Sequence, residues 1–166
     1  MNLLVSALVV ASSFFGLVLP ETPKVNAMDL QRLTGSQWTG TLTYLDYPSG
    51  KQVSIPANLT VTQAAEDSLS WIFAYQYPDE PKANSKDTVT ISQDGKTIDG
   101  EAVIERTSLA GDTLRLVAEK SGTDNDKQAT FRFTYLLGSN SFSVRKGVRY
   151  AGTDELFERN QYSWKR

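Results

Sequence analysis

Apolar and polar residues alternate through most of this chain, from Trp38 to Trp164. Alternation with a period of two places successive side chains on opposite faces of a β-strand. The segment from Leu69 to Tyr77 is the most aromatic example, because every second residue in it is a large apolar or aromatic one. The pattern therefore predicts a domain built almost entirely of short, half-buried strands.

About nine such segments follow one another, separated by short polar stretches. Turns are predicted at Pro48 to Lys51 and at Asp94-Gly95, since Gly, Asp and Pro favour tight reversals of the chain. The alternation slips near Gly100, which predicts a β-bulge there. Two longer polar stretches, Pro78 to Lys86 and Ser121 to Lys127, are predicted as loops. The strands are predicted at residues 37–46, 52–61, 69–77, 88–92, 97–106, 112–120, 128–138, 142–150 and 156–166.

Short connections between consecutive strands are typical of an antiparallel up-and-down meander. An open sheet of this size would expose two edges, and closure removes them by pairing the first strand with the last. We therefore predict an all-β fold, a meander closed into a barrel of about 8 to 10 strands. A β-sandwich is the alternative.

The first residues differ from the rest of the chain. An apolar run from Leu3 to Leu19 is interrupted only by serines and Gly16, and small residues follow at Val25-Asn26-Ala27. This order is typical of a secretory signal peptide that is cleaved after a small residue. We predict a signal peptide over residues 1–27, a single domain over residues 28–166, a secreted or periplasmic location, and no membrane span after cleavage.

The chain contains neither histidine nor cysteine. The absence of these residue types excludes a Ser-His-Asp triad, a thiolate nucleophile and a histidine-ligated zinc or haem site. The acidic residues fall mostly in predicted turns, where solvated charges are the simplest interpretation. A formal net charge of −2 gives no reason to expect nucleic acid as a partner. We therefore predict a protein that is not an enzyme and that has no metal or cofactor.

The stretch from Leu33 to Gly40 resembles the opening of the calycin group, which includes lipocalins and fatty-acid-binding proteins. In that group a Gly and a Trp introduce the first barrel strand, and a basic residue from the last strand lies across the Trp. The resemblance implies a barrel closed by Trp38, Arg159 and Trp164, with Lys165 and Arg166 as further candidates for the basic residue.

Two other likenesses concern function. The fragment Trp38-Thr39-Gly40 is similar to the start of nitrobindin-type haem barrels, but those bind iron through a histidine that this chain lacks. The segments Trp38 to Gly50 and Phe157 to Tyr162 resemble a lipocalin-like secreted bacterial family of uncharacterised function. That resemblance implies a fold and no activity.

Aromatic side chains on the predicted inner faces either line a cavity or fill the core. Lys146 is the residue hardest to place, because it shares its face with Val144 and Val148. A buried ammonium must pair with a carboxylate, extend to the barrel mouth, or meet an anionic ligand. The candidate ligand-binding residues are Tyr44, Trp71, Phe73, Tyr75, Phe131, Phe133, Tyr135 and Lys146.

Two functions remain open from the sequence. The first is an exported lipocalin-like barrel that binds a small hydrophobic or amphipathic ligand. The alternative is a filled barrel that acts as a non-catalytic interaction or structural module in the periplasm, with the predicted loops Pro78 to Lys86 and Ser121 to Lys127 as its contact surface. The volume of the barrel interior distinguishes the two.

Overall fold

The alternating segments form one antiparallel sheet that curls into a nearly closed barrel, as predicted. The computed structural model describes residues 22–166. A short helix α1, Ala27–Gln31, precedes the sheet, and one 3₁₀ turn spans Pro81–Ala83. The strands are β1 Gln37–Asp46, β2 Lys51–Pro56, β3 Asn58–Gln63, β4 Ser70–Gln76, β5 Ser85–Thr90, β6 Thr97–Ile98, β7 Glu101–Leu109, β8 Thr113–Asp124, β9 Lys127–Leu137, β10 Ser141–Tyr150 and β11 Phe157–Lys165.

Neighbouring strands run in the order β5-β4-β3-β1-β11-β10-β9-β8-β7-β6. The first and last long strands pair directly, with Gly40 opposite Trp164. A side chain at Gly40 would collide with the backbone oxygen of Ser163 and with Trp164, so only glycine allows this close approach. The pairing of β1 with β11 is the closure that the sequence predicts.

The two ends of this order meet through a narrow bridge. Ile91, just after β5, pairs with Ile98 of β6. From Ser85 to Val89, β5 pairs only with β4 among residues 22–166. A seam therefore remains between β5 and β7 over part of the height of the barrel.

The N-terminal segment covers one end of the barrel, which we call the lower end. Val25 is buried, and its backbone N–H donates to the carbonyl of Gly95 at 2.9 Å. Asp29 in α1 binds the guanidinium of Arg106 through two hydrogen bonds of 2.9 and 2.8 Å. Leu30 and Leu33 join the core. These contacts attach α1 to β7 and seal the lower end.

The main core lies between α1 and the middle of the barrel. All three tryptophans are buried in it, and Trp164 stacks on Phe142 with ring centroids 5.1 Å apart. A second, smaller cluster of Ala129, Phe131 and Val148 lies toward the opposite, upper end. The interior is thus filled below and less completely filled above.

Two predicted details are wrong. The slip at Gly100 itself is a hairpin, because Asp99 and Gly100 both have positive φ and turn β6 back onto β7. The register shift of this segment lies further along, between Val103 and Glu105 in the pairing of β7 with β8. The predicted loop from Ser121 to Lys127 is mostly strand. Asn125 and Asp126 have φ values of 47° and 60°, so a two-residue turn suffices and both strands continue to it.

The predicted second strand is also divided. It bends at Ala57, whose N–H donates to the carbonyl of Gly40, so that β2 and β3 pair with different parts of β1. In addition, the pairing of β10 with β11 shifts by one residue between Lys146 and Gly147. This bulge lies beside Lys146, at the upper end of the barrel.

Candidate functional site

The upper half of the barrel contains a cavity of about 260 Å³, which we call the barrel cavity. Inward-facing residues from six strands and from the turn between β6 and β7 surround it. Its exposed residues, Asp87 and Asp99, lie where it opens to solvent. The lining residues are Phe73, Tyr75, Asp87, Val89, Asp99, Glu101, Phe133, Tyr135, Val144, Lys146, Asn160 and Tyr162.

Five of the candidate residues from the sequence line this cavity: Phe73, Tyr75, Phe133, Tyr135 and Lys146. They come from β4, β9 and β10, whose alternation directs every second side chain inward. These aromatic rings make its wall largely apolar, and the tyrosines add polar groups.

The other three candidates lie elsewhere. Trp71 is fully buried in the lower core, and Phe131 belongs to the upper apolar cluster. Tyr44 lies on β1 opposite Asn160 of β11 and does not line the cavity. The ring of Phe131 nevertheless lies under the ammonium of Lys146, which is a cavity group.

Lys146 projects inward between two neighbouring strands, opposite Phe133 on β9 and Asn160 on β11. Its Nζ lies 4.3 Å from the ring centroid of Phe131 and 5.8 Å from that of Phe133. In the part of the chain that the structure describes, no carboxylate lies within 4.0 Å of this ammonium. Desolvation lowers the pKa of Lys146, and the nearby Lys120 and Arg159 lower it further, against the opposite effect of Asp124 and Glu101.

Glu101 is the buried acid of the site, with a side chain only 2% exposed. Lys120 Nζ contacts its Oε1 at 2.8 Å, and the hydroxyl of Tyr135 lies 3.5 Å from Oε2. Burial raises the pKa of Glu101 despite the opposing effect of Lys120. Burial together with this carboxylate also raises the pKa of Tyr135, whose phenol therefore stays protonated.

A group of tyrosines borders the cavity on the β4 and β11 side. The hydroxyls of Tyr77 and Tyr162 are 2.7 Å apart, and Tyr75 packs against Tyr162 with ring centroids 5.3 Å apart. Burial raises the pKa of both Tyr75 and Tyr162, so both offer neutral hydroxyl groups. Such groups orient a ligand by hydrogen bonding without adding charge.

Asp124 joins several elements at the upper end. It accepts hydrogen bonds from the hydroxyls of Tyr150 at 2.8 Å and Tyr47 at 3.3 Å, and Arg159 Nε lies 3.9 Å away. The guanidinium of Arg159 also stacks on the ring of Tyr47 at 3.8 Å. These contacts hold the turn between β8 and β9 against the turn between β1 and β2.

The residues proposed for barrel closure are only partly brought together. Trp38 and Trp164 lie on the paired strands β1 and β11. The basic group over Trp38 is Arg166, whose guanidinium carbon is 4.4 Å from the ring centroid. Arg159 lies instead at the upper end, because it is near the start of β11, where it contacts Tyr47 and Asp124.

Sequence reasoning missed seven residues of the cavity, namely Val89, Val144, Asp87, Asp99, Glu101, Asn160 and Tyr162. The last two share the inward face of Trp164, so the alternation of β11 contained the signal. Glu101 was missed because Asp99-Gly100 was interpreted as a bulge. A hairpin at that point puts Glu101 in phase with the buried Val103.

Comparisons with known proteins bear on the fold. No protein-family model matches this chain, and no curated protein matches it in sequence. A crystal structure of Rv2717c from M. tuberculosis is similar, with 14% identity, a TM-score of 0.54, and coverage of 87% of this chain and 99% of that one. A likeness at this identity supports the barrel fold alone.

Residues 22–166 contain neither a membrane-spanning helix nor a cluster of acidic metal ligands. No helix in this range is long and apolar enough to cross a membrane. No group of three or more acidic side chains in the same range is arranged to hold a metal ion.

Proposed function

We propose that this chain is an exported barrel that binds a small amphipathic molecule in the barrel cavity. The observation that carries the proposal is the cavity itself, about 260 Å³ in volume, with aromatic walls and the ammonium of Lys146, which has no ion-pair partner within residues 22–166. Apolar walls with a few convergent polar groups are typical of small-molecule sites. Export is proposed from the signal-like pattern of residues 1–27.

The volume restricts the size of the ligand. A cavity of about 150 Å³ accommodates benzene, whereas drug-sized ligands use pockets of roughly 300 to 1,000 Å³. A substituted single ring or a short acyl chain therefore suits this cavity better than a long fatty acid does.

The test uses phenol and hexanoate as probes, with binding followed by amide chemical shifts in two-dimensional NMR spectra. Val144→Trp places a large side chain in the cavity, and Ile104→Trp makes the same change at an exposed position of β7. We expect the wild type and Ile104→Trp to bind at least one probe with shifts at the cavity, and Val144→Trp to lose that binding.

Two outcomes would contradict the proposal. Unchanged binding by Val144→Trp would place the probe outside the cavity. Failure of the folded wild type to bind either probe at millimolar concentration would favour the alternative of a filled interaction or structural module. Circular dichroism of each variant checks that the barrel is folded.

A further inference from the structure

We infer that the ligand is a small aromatic acid whose anionic group binds at Lys146, beside Asn160. This inference rests on the proposed function and specifies the chemical class of the ligand. It follows from the charge balance of the barrel interior, the way Lys146 is held, and the arrangement of the cavity wall.

The buried acid Glu101 and the partly buried Asp124 near the cavity already have cationic partners. Glu101 binds Lys120 at 2.8 Å, and Asp124 faces Arg159 at 3.9 Å while also accepting two tyrosine hydroxyls. Lys146 has no such partner within residues 22–166. A partly desolvated ammonium without a counter-ion is unfavourable, and an anionic ligand would remove that penalty.

Aromatic rings, and not an acid, hold Lys146 in place. Its Nζ lies over Phe131 at 4.3 Å and 5.8 Å from the ring centroid of Phe133, which Lys120 Nζ also approaches at 5.4 Å. Contacts with the π-face of a ring position a cation without using its N–H donors. These donors remain available to a carboxylate. Lys120 and Arg159 add positive potential at Lys146, and the more distant carboxylates of Asp124 and Glu101 act against it without forming an ion pair with it.

Asn160 and Tyr162 extend the anion site along β11. Asn160 lies directly across from Lys146 in the β10–β11 ladder, and both side chains line the cavity. An amide and an ammonium can both donate to one carboxylate. Hydrogen bonds between a charged donor and a carboxylate are about twice as strong as neutral ones.

The remaining wall favours a ring as the body of the ligand. Phe73, Tyr75, Phe133 and Tyr135 contribute four aromatic rings, and offset or edge contacts between rings add to their apolar burial. The volume of about 260 Å³ accommodates a single substituted ring.

Two exposed carboxylates, Asp87 and Asp99, also line the cavity and would repel an anion placed beside them. They belong to β5 and to the β6–β7 turn, on the far side of the barrel from β10. Both are solvated, so salt and water screen their effect. The acid group is therefore directed to Lys146, away from these aspartates.

The test compares three probes that share one ring and differ in charge: benzoate, benzamide and benzylamine. Titration calorimetry or ligand-observed NMR gives their affinities for the wild type, Lys146→Gln, Lys146→Arg and the control Lys82→Gln, which alters an exposed lysine of the 3₁₀ turn. We expect the wild type and Lys82→Gln to prefer benzoate to benzamide by about tenfold or more. Lys146→Gln should lose this preference, and Lys146→Arg should retain most of it.

Each other outcome overturns the inference in a recognisable way. If benzamide or benzylamine binds as tightly as benzoate, the cavity binds ligands but the anion assignment is wrong. If Lys146→Gln weakens benzoate and benzamide equally, Lys146 has only a structural role. If none of the three probes binds while phenol does, the acid class is wrong and the proposed function stands. If hexanoate alone binds, the aromatic body is wrong and the proposed function stands.

Discussion

The three tryptophans are equally buried but differ in their hydrogen bonds. Trp38 Nε1 donates to the carbonyl of Leu33, and Trp164 Nε1 donates to that of Ala57, each at 2.8 Å. Trp71 Nε1 is buried and has no partner among residues 22–166. A buried donor without an acceptor lowers the stability of the folded state, and a purely apolar ring at the same place would not.

Replacement of each tryptophan by Phe should separate these cases. All three changes remove similar volume, but Trp38→Phe and Trp164→Phe also leave a buried carbonyl without its donor. We expect these two to lower the free energy of unfolding by about 1 to 3 kcal/mol more than Trp71→Phe does. Urea denaturation of the three variants measures the difference, and an equal loss in all three would contradict the assignment of the hydrogen bonds.

The raised pKa of Glu101 predicts a particular pH dependence of stability. Because burial disfavours the ionised form in the folded state, the unfolded chain loses this proton first, near the ordinary value of 4.5. The stability that Glu101 contributes is therefore complete below pH 4.5 and falls as the pH rises from 4.5 through the higher folded pKa. The variant Glu101→Gln has no ionisable group at this position, so it lacks this pH-dependent contribution to stability.

Stability of wild type and Glu101→Gln should be compared from pH 4 to pH 8. We expect the free energy of unfolding of the variant, relative to that of the wild type, to rise across this range and then level off. Glu105→Gln is the matched control, since Glu105 is a more exposed acid on the same strand that also binds a basic residue, Arg115. A difference between Glu101→Gln and wild type that does not change with pH would show that Glu101 ionises normally.

At the level of elements, alternation predicted the strands well and their ends less well. It located all nine alternating segments, including β5, which has no buried residue and begins three residues earlier than predicted. It failed at Asp99-Gly100 and Asn125-Asp126, two tight turns in which both residues have positive φ. The sequence also did not indicate which basic residue covers Trp38. Arg159, Lys165 and Arg166 are all basic residues in or just after β11, and only their positions in the barrel show that Arg166 lies over Trp38 while Arg159 contacts Tyr47.

The segment before α1 is an element that the pattern alone assigned to the signal peptide. Residues 1–21 lie outside the described part of the chain, but Val25 is 2% exposed and belongs to the main core. The N–H of Asn26 also donates to Asp29, the residue that binds Arg106. Cleavage after Ala27 would remove both Val25 and Asn26.

A chain that starts at Met28 should therefore be less stable than one that starts at Thr22. Loss of a buried valine and of its backbone hydrogen bond should lower the free energy of unfolding by about 2 to 4 kcal/mol. Equilibrium urea denaturation of both chains measures this. If the chain is exported and cleaved as proposed above, we expect N-terminal sequencing of the mature protein to find a start before Val25. Equal stability of the two chains would remove the basis for that expectation.

For the whole molecule, filling and closure are unevenly distributed. The lower half is filled by tryptophans and covered by α1, whereas the upper half contains the cavity and the cationic side chains of Lys120, Lys146 and Arg159. The sequence could not predict this division, because an inward aromatic residue reads the same whether it fills a core or lines a cavity. It depends on the position of each residue along the barrel, which alternation does not encode.

The seam beside β5 predicts where the barrel opens. β9 is paired on both sides by β8 and β10, but β5 is paired only by β4 from Ser85 to Val89 within residues 22–166. Local opening is easiest where few hydrogen bonds and apolar contacts must break, so the β5 amides bonded to β4 should exchange at least about tenfold faster than those of β9.

Asp87 and Val89 of β5 line the cavity, so a bound ligand should slow exchange in β5 more than in β9. Hydrogen exchange measured by NMR, with and without benzoate, tests both expectations. Equal protection of the two strands in the free protein would mean that the seam is closed and that ligands enter through the upper end.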